Sequence, residues 1–170
     1  MTTTGTRYQD GPQAFADIEI TAAPSAVWAL VSDPLLMAVL SREVQAVEWL
    51  DGANVAAVGA RFRGHNAHPA IGEWSTVNTI VVCEPEREYA WAVEDVDRPT
   101  ATWRFTLTAS GDGTRLRQTG HMGPGRSGLS TAIDRWPDKE ERIVARRLQE
   151  WEDGIVSNLA EFKARAEAAG

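Results

Sequence analysis

The sequence predicts an α+β domain: a curved antiparallel sheet of seven strands wrapped around one long C-terminal helix, with two short helices after the first strand. Three observations carry this. Apolar residues at Val144, Leu148, Trp151, Ile155, Leu159, Phe162 and Ala166 recur every three or four positions, which is one stripe on a helix. Six strand-like runs precede that helix, joined by short turn signals, as antiparallel neighbours require. A single strand and two short helical segments stand before those six.

Residues 14–22 read as the first strand, with Phe15, Ile18 and Ile20 as its apolar members. The alternation slips by one between Phe15 and Ile18, so a bulge or a late start is expected. Pro24 or Ser25 opens a helix carrying Val27, Trp28, Leu30 and Val31, and Asp33-Pro34 ends it, because a residue before proline avoids the α region. A second short helix over 35–40 leads into a strand over 43–50, closed by the turn pair Asp51-Gly52. Further strands are expected over 59–66, 73–83, 88–94, 102–109 and 114–122. Alternation puts Tyr89, Trp91 and Val93 on one face, likewise Trp103, Phe105 and Leu107, and likewise Leu116, Gln118, Gly120 and Met122. Residues 127–135 suit a short helix. Pro137 then starts the long one in its first turn, followed by Asp138, Glu140 and Glu141, which the helix dipole favours there.

At 170 residues the chain is one domain, read as 14–168, with 1–13 a disordered or loosely held tail. A net charge of −7 argues against a general nucleic-acid binder. No apolar run reaches the length of a membrane span, and residues 1–13 contain no secretory h-region, so a cytoplasmic location is the default. The single Cys83 forms no internal disulfide and reads as a core residue rather than a nucleophile.

The run Pro24-Ser25-Ala26-Val27-Trp28, the closing Val31-Ser32-Asp33-Pro34 and the stretches 47–52, 59–66 and 84–91 give this order of elements a family likeness. The chain resembles the START/Bet v 1-like (SRPBCC) superfamily, and within it the polyketide cyclase/dehydrase-type proteins, over residues 14–165. That resemblance implies a helix-grip fold with a hydrophobic pocket. It does not by itself imply catalysis, since members range from lipid and hormone binders to aromatase/cyclases. Against that pattern, residues 123–136 read as an insertion with a glycine-rich start, expected to form a shaped connection at the edge of the pocket.

A curved sheet gripping a helix leaves space between them, and that space is the expected ligand site. Trp28, Trp74, Trp91, Trp103 and Trp151, with Phe62, Phe105, Met122 and Leu148, are its candidate apolar lining; each indole is either core filler or cavity wall. If Phe62 points inward so do Gly64 and Asn66, while Thr76 and Asn78 share the face of Trp74 and Gln118 that of Met122. Buried amides need partners, and for Asn66, Thr76 and Gln118 a ligand is one candidate. Gly64 and Gly120 would either widen the space or mark bulges.

His65 and His68 fall on opposite strand faces and match no metal-ligand spacing, so neither metal nor cofactor is expected. Arg61 and Arg63 lie opposite Phe62 and should point away from the cavity. The expected function is binding of a small hydrophobic or aromatic molecule, a polyketide-like metabolite among them, by a monomer or homodimer. The alternatives are a metal-free cyclase/dehydratase, whose acid–base candidates are Arg61, Arg63, Glu43, Asn66, His65 and Tyr89 without a clear inward pair, and an adaptor with a vestigial pocket.

Overall fold

The computed structural model describes residues 6–169. Seven strands, β1 (Gln13–Ile20), β2 (Val44–Trp49), β3 (Arg61–His68), β4 (Gly72–Glu84), β5 (Glu88–Val93), β6 (Ala101–Ser110) and β7 (Gly113–Met122), form one sheet. Their order is β1-β7-β6-β5-β4-β3-β2, and every neighbouring pair is antiparallel. The helices are α1 (Pro24–Val31), α2 (Met37–Leu40), α3 (Gly128–Arg135) and α4 (Glu140–Ala168), with a 3-10 turn at Pro137–Lys139 leading into α4. This is the α+β helix-grip architecture that the sequence predicts. No helix among the described residues is long and apolar enough to cross a membrane.

Local chemistry sets the boundaries. Pro24 occupies the first turn of α1, and the Ser32 hydroxyl donates to the Trp28 carbonyl at 2.7 Å where the helix ends. Asp33 then caps the next turn by accepting from the Leu35 N–H at 3.0 Å. α4 lies over β1 and β7 and buries Val144, Leu148, Ile155, Leu159, Phe162 and Ala166. It also buries Asn158, a polar residue within the apolar stripe.

The structure corrects the slip expected in the first strand. β1 runs in unbroken register with β7, so Phe15 marks no bulge: it faces outward, with the Arg117 guanidinium 4.9 Å from its ring centroid. Bulges occur instead between Val44 and Ala46 and between Ile80 and Val82. The second shifts the inward phase of β4, so that Cys83 pairs with Tyr89 and shares its inner face. Residues 1–5 of the expected tail lie outside the described residues, but Tyr8 is pinned. Its hydroxyl donates to the Gly125 carbonyl at 2.6 Å, and its N–H donates to Glu140 at 3.1 Å.

The glycine-rich start of the 123–136 segment is explained by close backbone approach. The Gly123 and Gly125 N–H groups donate to Thr100 and Pro99 at 2.9 and 2.7 Å, and a Cβ on Gly125 would sit 2.1 Å from the Arg98 carbonyl. Those amides are committed to the chain and hold no anion.

Candidate functional site

The concave face is where this fold can hold a molecule, and its polar groups gather on β3 and β4. Phe62, Gly64, Asn66 and His68 point inward from β3, opposite Asn78, Thr76, Trp74 and Gly72 of β4. Asn78 donates through Nδ2 to Thr76 Oγ1 at 3.3 Å and to the Phe62 carbonyl at 3.4 Å, and Asn66 Nδ2 reaches the Gly64 carbonyl at 3.4 Å. The Asn78 N–H donors are committed to Phe62 and Thr76, which leaves its amide oxygen as an acceptor; Asn66 offers its amide oxygen and its second N–H. Gly64 sits in unbroken register, so it marks no bulge; a Cβ there would meet Asn78 and Thr76 at 3.6 Å, an ordinary contact.

The twelve sequence-predicted residues divide evenly. Phe62, Trp91, Phe105, Gln118, Met122 and Leu148 are buried, whereas Trp28, Asn66, Trp74, Thr76, Trp103 and Trp151 are half-buried. Phe105, Met122 and Leu148, at most 1% exposed, belong to the packed core rather than to an open wall. Phe105 meets Phe162 of α4 edge-on at 5.3 Å, and Trp91 touches both Phe62 (5.9 Å) and Phe105 (6.1 Å). Gln118, also 1% exposed, accepts from Asn158 Nδ2 at 3.4 Å, so its oxygen answers an amide of α4. Trp103 and Trp151 pack at 4.7 Å over Gly120, where a Cβ would lie 2.6 Å from the Trp103 ring. Gly120 therefore seats an indole pair and marks no bulge.

Sequence reasoning missed the charged clasp at the margin of this face. Arg147 of α4 makes two bonds to Glu43, just before β2, at 2.6 and 3.0 Å, and a third to Glu150 at 3.2 Å. Burial works to lower the Arg147 pKa, but the hydrogen bonds and charges of Glu43 and Glu150 outweigh it and hold it above its ordinary value. His68 reaches Glu150 through Nε2 at 3.5 Å, while its Nδ1 accepts from the Ala70 N–H at 3.1 Å. The Arg147 guanidinium lies 5.9 Å from the Trp151 ring, joining clasp to indole pair. Its sequence signal is Arg147, Glu150 and Trp151 at helical spacing; Glu43 stands in the sequence as an acid–base candidate, with nothing that ties it to Arg147.

Arg61 and Arg63 point outward as expected, paired with Asp51 and Glu48 at 3.0 Å. His65 is also outside, between Ser75 (2.8 Å) and Glu48 (3.4 Å), on the face opposite His68. No group of three or more metal-ligating side chains occurs among the described residues.

Among the described residues, two of the hollows that reach solvent lie beside the sheet. One, of about 320 Å³, opens around the β2 bulge and touches Gln45, His65, Asn66, Glu73, Trp74 and Ser75. The other, of about 280 Å³, lies at the α1 end of the concave face, against Trp28, Asp33, Trp49, Val55, Cys83 and Pro85. Cys83 is thus half-buried at a hollow rather than a core residue, and burial pushes its thiol pKa up, away from a reactive thiolate.

Comparison with curated proteins finds no match. Among solved structures, the Polyketide_cyc-like protein Cgl2372 of Corynebacterium glutamicum is 26% identical, with a TM-score of 0.65 over 94% of this chain and 91% of that one. TTHA0849 of Thermus thermophilus is 18% identical, with a TM-score of 0.65 over 94% of this chain and 99% of that one. The di-domain ARO/CYC StfQ of the steffimycin biosynthetic pathway is 14% identical with a TM-score of 0.71; the match covers 92% of this chain but 51% of StfQ. The last two likenesses show the fold alone. The family model described as polyketide cyclase / dehydrase and lipid transport matches residues 13–167, nearly the whole domain, and to that family the chain belongs.

Proposed function

We propose that the protein binds a small, flat, mostly apolar molecule bearing hydroxyl groups against the inner face of β3 and β4, under the first half of α4. The observation that carries this is the strip of Asn66, Thr76 and Asn78, whose side-chain oxygens face the same side as the half-buried Trp74. Trp103 and Trp151 supply a second aromatic wall. Apolar flanks with a few convergent acceptors suit an aromatic phenol better than a plain lipid chain. A polyketide-derived aromatic has that chemistry, and membership of the family and the fold shared with a di-domain ARO/CYC support it.

Holding is favoured over catalysis by how an inward acid–base pair, His68 and Glu150, is engaged. His68 has Nδ1 on the Ala70 N–H and Nε2 towards Glu150, so neither ring nitrogen is offered to a ligand.

The test is titration with 2-naphthol, followed by indole fluorescence, in the unaltered protein and in Asn66→Ala and Thr76→Val. Each variant should weaken binding about five- to twentyfold, the loss of one hydrogen bond, without moving the urea midpoint. Unchanged affinity in both refutes the assignment.

A further inference from the structure

The hollow at the α1 end has an unanswered polar group behind it. Tyr89 is fully buried, and among the described residues its hydroxyl has no hydrogen-bond partner. A buried donor in that state is costly, and native folds seldom leave one without a reason. Tyr89 stands beside three residues of the hollow's wall. Cys83 is its cross-strand partner on the inner face, and Trp28 meets its ring edge-on at 6.3 Å. Asp33, like Cys83, acts on its charge. Its contacts with Cys83 and Trp28 put the phenol beside the hollow's wall, and burial, which pushes its pKa far up, keeps it protonated as a donor. The Asp33 carboxylate at the rim disfavours an anion there. Trp28, Trp49, Val55 and Pro85 provide apolar surface for a flat molecule.

We propose that this hollow is a second binding compartment, distinct from the β3–β4 strip, which takes a neutral flat molecule bearing a carbonyl oxygen and uses the Tyr89 hydroxyl as its hydrogen-bond donor. The half-buried Trp28 indole is the shutter: it turns aside to let the oxygen reach the phenol. Phe62, opposite Asn78 at the end of the strip, packs against both Trp91 (5.9 Å) and the hollow's Trp49 (6.1 Å), so a buried ring stands between the two. Donor and acceptor roles are thereby divided, with the strip taking hydroxyls and Tyr89 taking a carbonyl.

The probes are 2-acetylnaphthalene and its carbonyl-free counterpart 2-ethylnaphthalene, titrated against protein with NMR detection of the Trp28 and Trp49 indole N–H signals. The acetyl compound should bind about tenfold more tightly than the ethyl compound, the worth of one hydrogen bond to a carbonyl. Tyr89→Phe should level the two while leaving urea stability equal or higher, because the unpartnered hydroxyl is gone. Ala56→Trp, which fills the mouth from the facing loop, should abolish binding of both. Persistence of the acetyl preference in Tyr89→Phe overturns the proposal. So does failure of both probes to bind at millimolar concentration, or a response confined to Trp74, Trp103 and Trp151. Asn66→Ala should leave this titration unchanged while weakening 2-naphthol, so failure here and failure of the β3–β4 reading are told apart.

Discussion

Replacing Gln118 by alanine should destabilise the domain by about 2.5–5 kcal/mol, because its amide joins sheet to helix rather than pointing into open space. Gln118 and Asn158 are 1% and 6% exposed, and their 3.4 Å bond lies near the outer limit of a hydrogen bond. The direct bond is therefore worth only about 0.5–1 kcal/mol. Most of the cost comes from what the substitution leaves behind: Asn158 Nδ2 loses its acceptor in a buried site, at about 1–3 kcal/mol. Loss of buried side-chain volume adds roughly 1 kcal/mol, since relaxation around such a gap is incomplete. Urea unfolding measures the sum directly, and for a chain of this size it corresponds to about 5–20 °C in Tm. The double replacement Gln118→Leu with Asn158→Leu removes both polar partners and should cost much less than the sum of the singles. A double-mutant cycle with Gln118→Ala and Asn158→Ala should give a coupling of at least about 0.5 kcal/mol. A loss under about 0.5 kcal/mol for Gln118→Ala, or no coupling, would refute the reasoning.

Gly120→Ala should cost about 1–3 kcal/mol in urea unfolding, because its Cβ would collide with the Trp103–Trp151 pair, whereas Gly64→Ala meets only ordinary contacts and should stay within about 0.5 kcal/mol. Arg147→Met should destabilise by about 1–3 kcal/mol, less than for a fully buried pair because Glu43 and Glu150 keep about 30% side-chain exposure and regain water; adding Glu43→Gln should recover part of the loss. Asp17 is held below its ordinary pKa by the Arg117 hydrogen bond, so its stabilising contribution is present above the unfolded value near 3.8 and is lost as pH falls through the lower folded value. The Tm difference between the unaltered protein and Asp17→Asn should therefore be constant above about pH 5 and close below about pH 4; a difference that persists to about pH 2 refutes this assignment.

What the chain reveals locally was readable; what it brings together from afar was not. The α4 stripe, its proline start and the strand alternation are signals carried within about ten residues, and they placed Val144, Leu148 and the inner face of β6 and β7 correctly. Trp151 fits the same stripe yet stays half-buried, because its partner is Trp103, and the gap that admits the two rings is the missing side chain of Gly120. Phe15 looks like a core residue by hydropathy, but register turns it outward, where a guanidinium covers it. Glu43 and Arg147 are 104 positions apart, and neither has a local feature that names the other. The β4 bulge is equally silent in the sequence, although it decides that Cys83 shares the face of Tyr89.

Length of lever explains why the clasp matters to any ligand in the cleft. α4 is fastened along β1 and β7 by buried apolar residues, so its position there is set by close packing. Over the opposite margin, by β2 and β3, the fastening is polar: Arg147 to Glu43, and Glu150 to His68. A polar contact whose carboxylates keep about 30% exposure exchanges for water at less cost than a packed apolar one, so this margin is the side of the cleft expected to open most readily. The half-buried Asn66 sits just inside it, two residues before His68 and opposite Val44. On the proposed function, entry past the clasp would deliver a molecule to the β3–β4 acceptors and the Trp103–Trp151 wall without breaking the core. The same reasoning fixes the order of effects: loosening the clasp should speed both arrival and departure of 2-naphthol, whereas altering Asn66 should speed departure alone. Stopped-flow fluorescence separates the two rates, and a clasp variant that changes only the departure rate would place the entrance elsewhere.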